Sequence, residues 1–367
     1  MTRFAFVIHP LSTQHLREKL PPYLRFLPDG ALEKIGEMKR PYVVSDIKGV
    51  RSATGAETEG WFVGLPLTPD MMVKDLPIEK VYERITQCAE VAAERGAKLI
   101  GLGAFSSVVG DGGVTVAQRA KIGVTTGNSY TVATAIEGTL KACELLGIDL
   151  PNATLAVVGA TGSIGKTCAR ILARSFGRTI LVGRDEERTA LVAAEIPNAE
   201  ATTDIARIRE ADAIVTVSSA GKDLVLPEHL KPGAVVCDVA RPRDVSVRVA
   251  KERPDVLVIE GGIVRVPGQV DFGMDFGFPD QTAYACMSET MLLALEDDPS
   301  LFNFTLGKEV SVEQVDRIGA LAKKHGFGLD RFRSFEKVVT QDAIDRARKA
   351  RTTAGTVARE RGEKEKG

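Results

Sequence analysis

Short β-branched runs alternate with stretches of helical period from Thr154 to Glu260, the most regular pattern in the chain. The runs Thr154–Val158, Thr179–Val182, Ala199–Thr202 (the weakest), Ala213–Val217, Ala234–Asp238 and Val256–Glu260 predict strands joined by crossover segments. Such an alternation makes a parallel, doubly wound α/β sheet. Upstream the signal is sparser. Arg3–Ile8 and Lys98–Leu102 read as strands, while Val81, Ile85, Cys88, Ala89 and Ala92 mark one face of a helix that stops at Gly96. Val132, Ile136, Leu140 and Cys143 mark a second helix, which ends at Gly147 with Pro151 beyond it. After a Gly-rich passage from Glu260 to Gly268, helical pattern returns around Tyr284–Leu295 and over Val312–His325.

These patterns divide the chain into an α/β substrate or catalytic domain over residues 1–150 and a doubly wound domain over 151–282. Helices over 283–345 are expected to pack back on the first domain, with the active site in a cleft between the two. A basic, disorder-prone tail covers 346–367, where eight Lys or Arg face three Glu. It reads as a solvated, frayed helix or, more sharply, as a docking surface for an acidic partner.

The first of the six strands runs into Gly159-Ala-Thr-Gly-Ser-Ile-Gly165 and then a helix, the setting of a dinucleotide fingerprint. Gly159 permits the tight turn, Gly162 lets backbone approach a pyrophosphate, and Gly165 lets helix pack on strand, with the helix N-terminus offering N–H groups and partial positive charge. The second strand ends at Gly183-Arg184-Asp185, where an acidic residue would bind a ribose 2′-hydroxyl. Arg184 there suits a 2′-phosphate, a charge-assisted contact of about 1.5–3 kcal/mol, and favours NADPH over NADH. The alternative, a solvent-facing Arg184 with Asp185 as the ribose acid, competes with Asp185 as the N-cap of the next helix. The cofactor set read from the chain is Gly159, Thr161, Gly162, Ser163, Ile164, Gly165, Arg184, Ser218, Gly261 and Gly262.

Composition removes several classes. The 367 residues are 44% apolar and carry a formal charge of −1, which suits two cores and gives no global sign of nucleic-acid binding. The first apolar run, Phe4–Ile8, is too short for a secretory segment, no stretch reaches membrane-spanning length, and a cytoplasmic protein is expected. Five cysteines without CxxC spacing and four scattered histidines support neither a disulfide framework nor a metal site.

Cys286, within Asp280-Gln-Thr-Ala-Tyr-Ala-Cys-Met-Ser-Glu-Thr-Met291, is the candidate nucleophile, with a helix expected to start around Asp280 and help to activate it. Packing is the competing role for a cysteine on an apolar stripe, and it suits Cys88, Cys143, Cys168 and Cys237. Ser106, Ser107, Thr126 and Asn128 lie in polar loops that can supply oxyanion or positioning contacts, or can serve as turn and capping residues. His9, Tyr130 and Tyr284 are acids without an assigned role.

Seven segments resemble the long-chain acyl-(acyl-carrier-protein) reductases of cyanobacteria: Ser52-Ala-Thr-Gly55, Leu102-Gly-Ala-Phe-Ser-Ser107, Thr125-Thr-Gly-Asn128, Val157-Val-Gly-Ala-Thr-Gly162, Glu260-Gly-Gly262, Ala285-Cys-Met-Ser-Glu-Thr-Met-Leu-Leu293 and His325-Gly-Phe327. That family is distantly similar in architecture to glutamyl-tRNA reductase and shikimate dehydrogenase. The resemblance implies that Cys286 takes the acyl group as a thioester and that NADPH releases a fatty aldehyde. It implies as substrate a fatty acyl thioester, delivered by acyl carrier protein or coenzyme A. The basic stretch after about Gly326 is longer than the family's pattern, and several loops of the first domain differ, so acyl donor and chain length stay open. Two other readings share the build: an NADP-dependent dehydrogenase of shikimate or amino-acid type, for which no Lys–Asp pair stands beside Thr125–Asn128, and a non-catalytic NADP-binding sensor.

Overall fold

The computed structural model describes residues 1–18, 21–22, 25–219, 223–275 and 277–364. They form two compact units, one from Met1–Tyr130 with Val264–Gly328, the other from Thr131–Ile263 with the residues from Leu329 onward. The division falls inside the helix Asn128–Leu146, ahead of residue 150, and the helix Val312–His325 belongs to the first unit.

In the first unit, β1 (Phe4–Ile8), β2 (Tyr42–Arg51), β3 (Glu57–Gly64), β4 (Leu99–Gly101) and β5 (Gly123–Thr125) share a sheet with an edge strand, Gly268–Asp271. The order is edge strand, β2, β3, β1, β4, β5, and β3, β1, β4 and β5 run parallel. β1 is central and buried on both faces, which is why it reads as an unbroken apolar run. β2 instead buries only Ile47 and Val50, so its Tyr-Val-Val-Ser-Asp-Ile-Lys-Gly-Val-Arg sequence carries neither a run nor a clean alternation. The edge strand covers β2 at a bulge where Gly49 has φ +77, and a Cβ on Gly49 would lie 2.1 Å from Gln269 O.

Two helices cover this sheet from opposite ends of the chain. Ile78–Glu94 buries Val81, Ile85, Cys88, Ala89 and Ala92, and Gly96 beyond it takes φ +90. Ala285–Glu296 is buried almost all round and contacts β1, β3 and β4, so it is a core helix. Its amino end lies at the carboxyl ends of the parallel strands, its last turn at their amino ends, where Thr2 and the amino terminus bond Asp297.

At that amino-terminal edge three side chains are linked. Ser52 Oγ lies 2.7 Å from His325 Nδ1, and His325 Nε2 bonds Glu296 Oε1, which also accepts from Lys324 at 2.6 Å. Ser52 Oγ further accepts from Thr54 N at 3.0 Å, and Ala53 N donates to His325 O at 2.9 Å. The chain therefore clamps the turn between β2 and β3 onto the end of the helix Val312–His325.

In the second unit, β6 (Thr154–Val158), β7 (Arg178–Val182), β8 (Ala199–Thr202), β9 (Ala213–Thr216), β10 (Val235–Asp238) and β11 (Leu257–Glu260) form one sheet in the order β11-β10-β9-β6-β7-β8, with every pair parallel. This is the doubly wound nucleotide-binding order, with its switch point between β6 and β9. The C-terminal stretch is helical over Gln341–Lys364. Arg351 anchors that helix on Asp212 at 2.7 Å, where Lys231 also reaches Asp212 at 2.9 Å, and Gly233 admits the Arg351 backbone. Among the described residues no helix is long and apolar enough to cross a membrane.

His325→Ala leaves Ser52 and Glu296 without their buried partner, and we expect a loss of about 2–3 kcal/mol in chemical denaturation. Ser52→Ala should cost about 1 kcal/mol, because Glu296 keeps both His325 and Lys324.

Candidate functional site

In the second unit, Gly159 takes φ +84 at the end of β6 and donates its N–H to Val182 O at 2.9 Å. A Cβ on Gly165 would lie 2.3 Å from Gly159 O, so the helix Ser163–Leu172 meets the turn this closely only through glycine. Around Gly162 the nearest atom to such a Cβ is Gly159 O at 3.4 Å, which leaves that face open. Gly162 is the N-cap of this helix and supplies no side-chain cap. Thr161, Ser163 and Ile164 are half-buried beside it.

At the end of β7, Arg184 is exposed and makes no hydrogen bond or ion pair among the described residues. Asp185 Oδ1 accepts from Arg188 N at 3.0 Å and caps the helix Glu186–Ala194. That carboxylate is therefore engaged with its own helix while the guanidinium is free. An open glycine face, an uncapped helix N-terminus and an exposed Arg184 at the second strand fit a nicotinamide dinucleotide.

The loops after β9 and β10 are tied by two buried carboxylates. Asp244 accepts from Ser218 N at 2.8 Å, from Ser218 Oγ at 2.6 Å and from Thr216 Oγ1. Asp238 accepts from the N–H groups of Ala240 and Val245, each at 3.1 Å. Burial pushes the Asp238 carboxyl up to about 6 and raises that of Asp244 as well. Gly261 N–H bonds Asp238 O at 2.8 Å, and a Cβ on Gly261 would meet Val239 at 2.6 Å and Cys237 Sγ at 2.9 Å. Gly262 turns the chain with φ +72.

In the first unit, Cys286 is the second residue of the helix Ala285–Glu296. The helix does not start around Asp280 as its sequence suggests. Gln281 at φ +61 turns the chain, Thr282–Tyr284 is extended, and Tyr284 is the N-cap, which places the cysteine in the first turn. Thr125–Tyr130 forms an arch over this turn. A Cβ on Gly127, at φ +73, would lie 2.3 Å from Cys286 Cα and 2.5 Å from its Cβ, so only glycine lets the arch touch the cysteine.

Glu289, one turn beyond Cys286 and fully buried, holds both feet of the arch. Its carboxylate accepts from Thr125 Oγ1 at 2.6 Å, Ser129 Oγ at 2.6 Å and Tyr130 N at 3.0 Å. Thr305 supports the arch from behind: its hydroxyl donates to Ser129 Oγ at 2.9 Å and its carbonyl accepts from Thr126 N at 2.9 Å.

The structure thus brings Thr126 and Asn128 to either side of Gly127, against Cys286. The Thr126 hydroxyl donates to Thr305 O at 3.2 Å, and Asn128 is the first residue of the helix that follows. Ser106 lies on the turn after β4 and donates to Gly103 O at 2.7 Å, with Ser107 likewise bonded to Ala104 O at 2.7 Å. His9, at the end of β1, accepts from Phe105 N at 3.1 Å through Nε2, and burial holds it below the ordinary imidazole range. Sequence reasoning missed Glu289, Asp238 and Asp244. The first had a signal, a carboxylate in the middle of a largely apolar helix, which must find donors if buried.

Cys286 is half-buried, and the other four cysteines are 0% exposed. Burial pushes the thiols of Cys143 and Cys237 up to about 12 and those of Cys88 and Cys168 well above the usual range.

These features define one unit as a nucleotide-binding unit of the dehydrogenase type, and the other presents a cysteine on a helix N-terminus. A family model for shikimate / quinate 5-dehydrogenase matches residues 141–260. The aminotransferase PigE of a Serratia species is 30% identical over 340 residues, 89% of this chain and 39% of that protein. This chain therefore spans 39% of the length of that relative. The long-chain acyl-(acyl-carrier-protein) reductase of Synechococcus elongatus is 29% identical over 302 residues, 78% of this chain and 87% of that one. L-tryptophan dehydrogenase from Nostoc punctiforme aligns over 97% of this chain and 89% of its own, with 14% identity and a TM-score of 0.42. The chain is oxidoreductase-like, with a nicotinamide-dinucleotide unit of the shikimate-dehydrogenase type.

Gly165→Ala should lower stability by about 1–3 kcal/mol in the absence of ligand, because backbone blocks the new methyl group. Gly162→Ala should leave stability within about 0.5 kcal/mol and instead weaken dinucleotide binding, measured by fluorescence titration.

Proposed function

We propose that this chain is an NADPH-dependent reductase that converts a fatty acyl thioester to an aldehyde through an acyl group carried on Cys286. The observation that carries the reading is the placement of the one incompletely buried cysteine in the first turn of a helix, under a loop rich in donors. A helix N-terminus favours the thiolate over the thiol, and the thiolate is the nucleophile. The likeness to the Synechococcus elongatus reductase over most of both chains supports the substrate class.

In this reading Cys286 Sγ attacks the acyl carbon, the donor's thiolate leaves, and the acyl group becomes a thioester of the enzyme. Bound NADPH supplies the hydride that reduces this thioester. Arg184 holds the 2′-phosphate and the glycine turn holds the pyrophosphate, so the cofactor's orientation rests on the second unit's own atoms. The oxygen that gains negative charge needs donors that are already in place. Thr126 and Ser106 direct their hydroxyl protons at carbonyls, and Asn128, beside Gly127 at the start of the following helix, is the candidate donor among the side chains read from the sequence. One proton is taken up, the C–S bond breaks, and Cys286 is regenerated as the aldehyde departs.

Incubation with acyl-CoA or acyl-carrier protein in the absence of NADPH should give an acyl adduct on the Cys286 peptide by mass spectrometry. Cys286→Ala should abolish both adduct and aldehyde while keeping the affinity for NADPH; full turnover by this variant would rule out the covalent route. Arg184→Ala should weaken NADPH binding roughly tenfold to a hundredfold and leave NADH nearly unchanged.

A further inference from the structure

We infer that Glu289 is the positioning residue of the Cys286 site: it sets the Thr125–Tyr130 arch on the nucleophile by bonding both of its feet at once. The inference rests on the reading of Cys286 as the nucleophile and extends it to a residue that never touches substrate.

The geometry is unusual for a helix-borne carboxylate. Glu289 is fully buried, it pairs with no cation among the described residues, and its hydrogen-bond partners Thr125, Ser129 and Tyr130 all belong to the arch. A buried charge without a counter-ion persists only where hydrogen bonds replace its hydration. Here two of those bonds are hydroxyl donors, and the third is the N–H of Tyr130, in the first turn of the helix Asn128–Leu146, whose positive end favours an anion. The carboxylate therefore caps one helix from within another. Between its two feet the arch touches the cysteine at Gly127, where it has no side chain to adjust. Glu289 holds the two ends of the arch while the Thr305 carbonyl holds Thr126, and together they set Thr126, Gly127 and Asn128 over Cys286.

A merely structural carboxylate and a positioning one differ in what they do to two reactions of the same thiol. Alkylation by iodoacetamide needs only a reachable thiolate. Acyl transfer also needs donors aligned with the developing oxyanion. Glu289→Gln can keep the arch: the amide oxygen accepts from Ser129 and Tyr130, while its NH2 donates to Thr125 Oγ1, whose own proton turns to Thr305 O at 3.5 Å. Glu289→Ala cannot.

The test is made on the full chain by measuring, in each variant, the rate of Cys286 acylation by palmitoyl-CoA, its rate of alkylation by iodoacetamide, and amide exchange over residues 126–130. In Glu289→Ala we expect acylation to fall at least about tenfold while alkylation stays within about threefold. Exchange over the arch should rise about tenfold or more, with protection of β1 and β4 unchanged. Glu289→Gln should recover most of the acylation and all of the protection. Parallel loss of both thiol reactions, unchanged acylation, or failure of glutamine to rescue would overturn the inference. If the wild-type protein is alkylated but takes no acyl group, the nucleophile reading fails. The exchange data then judge the arch alone, and unaltered protection in Glu289→Ala would end this proposal too.

Discussion

The contact between Gly127 and the backbone of Cys286 fixes how the Thr125–Tyr130 arch meets the cysteine helix. It forces glycine at a left-handed position against the first turn of the cysteine helix, while Thr305 holds Thr126 and further bonds hold the ends of the arch. Those ends meet one carboxylate. Removing a carboxylate from water costs several kcal/mol, and near the carboxyl ends of the strands that cost is offset by short hydrogen bonds rather than by lysine or arginine. Buried carboxylates also fix loops in the second unit, where Asp244 holds Ser218 and Asp238 holds the turn through Ala240 and Val245. A carboxylate bonded to N–H and O–H groups specifies a loop conformation more narrowly than an apolar contact, because each oxygen accepts along defined directions.

The two edges of the first unit's sheet show why residue type alone does not identify chemistry. Ser52, His325 and Glu296 make a hydrogen-bonded chain whose composition would suit a nucleophile and its base. It lies at the amino ends of the parallel strands, Ser52 and His325 are 5% and 1% exposed, and Ser52 Oγ is already an acceptor for Thr54 N. The function of that chain is to close a turn. Cys286 and the arch lie at the carboxyl ends, where open α/β sheets bind their ligands, because there the loops are free to differ while the strands stay fixed.

The second unit was legible in the sequence almost strand for strand, since β6, β7, β9, β10 and β11 are buried on both faces and must read as apolar runs. The first unit was legible only where the same condition holds. β1 and β4 were found, whereas β2 and the edge strand, partly exposed and bulged at Gly49, carry too mixed a pattern. The start of the cysteine helix was misplaced because nothing in Asp280-Gln-Thr-Ala-Tyr forbids helix; the extended Thr282–Tyr284 segment is set by tertiary context. Glu289 shows the converse. Its carboxylate breaks an apolar stripe, and only the fold reveals that its partners lie some 160 residues away, at Ser129 and Tyr130.

What separates Cys286 from the other four cysteines is the environment that each thiol would meet on losing its proton. Cys88, Cys143, Cys168 and Cys237 lie in cores where burial holds the proton on, and reaction at any of them would require the surrounding core to open. Cys286 sits where a helix begins, so the dipole of the peptide groups behind it acts in the opposite sense, favouring the anion. The adjacent turn of that helix carries the Glu289 carboxylate, which alone would work against a thiolate. That carboxylate faces the N-terminus of the helix Asn128–Leu146 and two hydroxyl groups, which localise its charge on the arch. The arrangement thereby places an anchoring anion one turn from the Cys286 sulfur while surrounding that anion with its own donors. A neutral anchor of the same reach would avoid the repulsion, but it would give up the charge-assisted bonds that hold both feet of the arch.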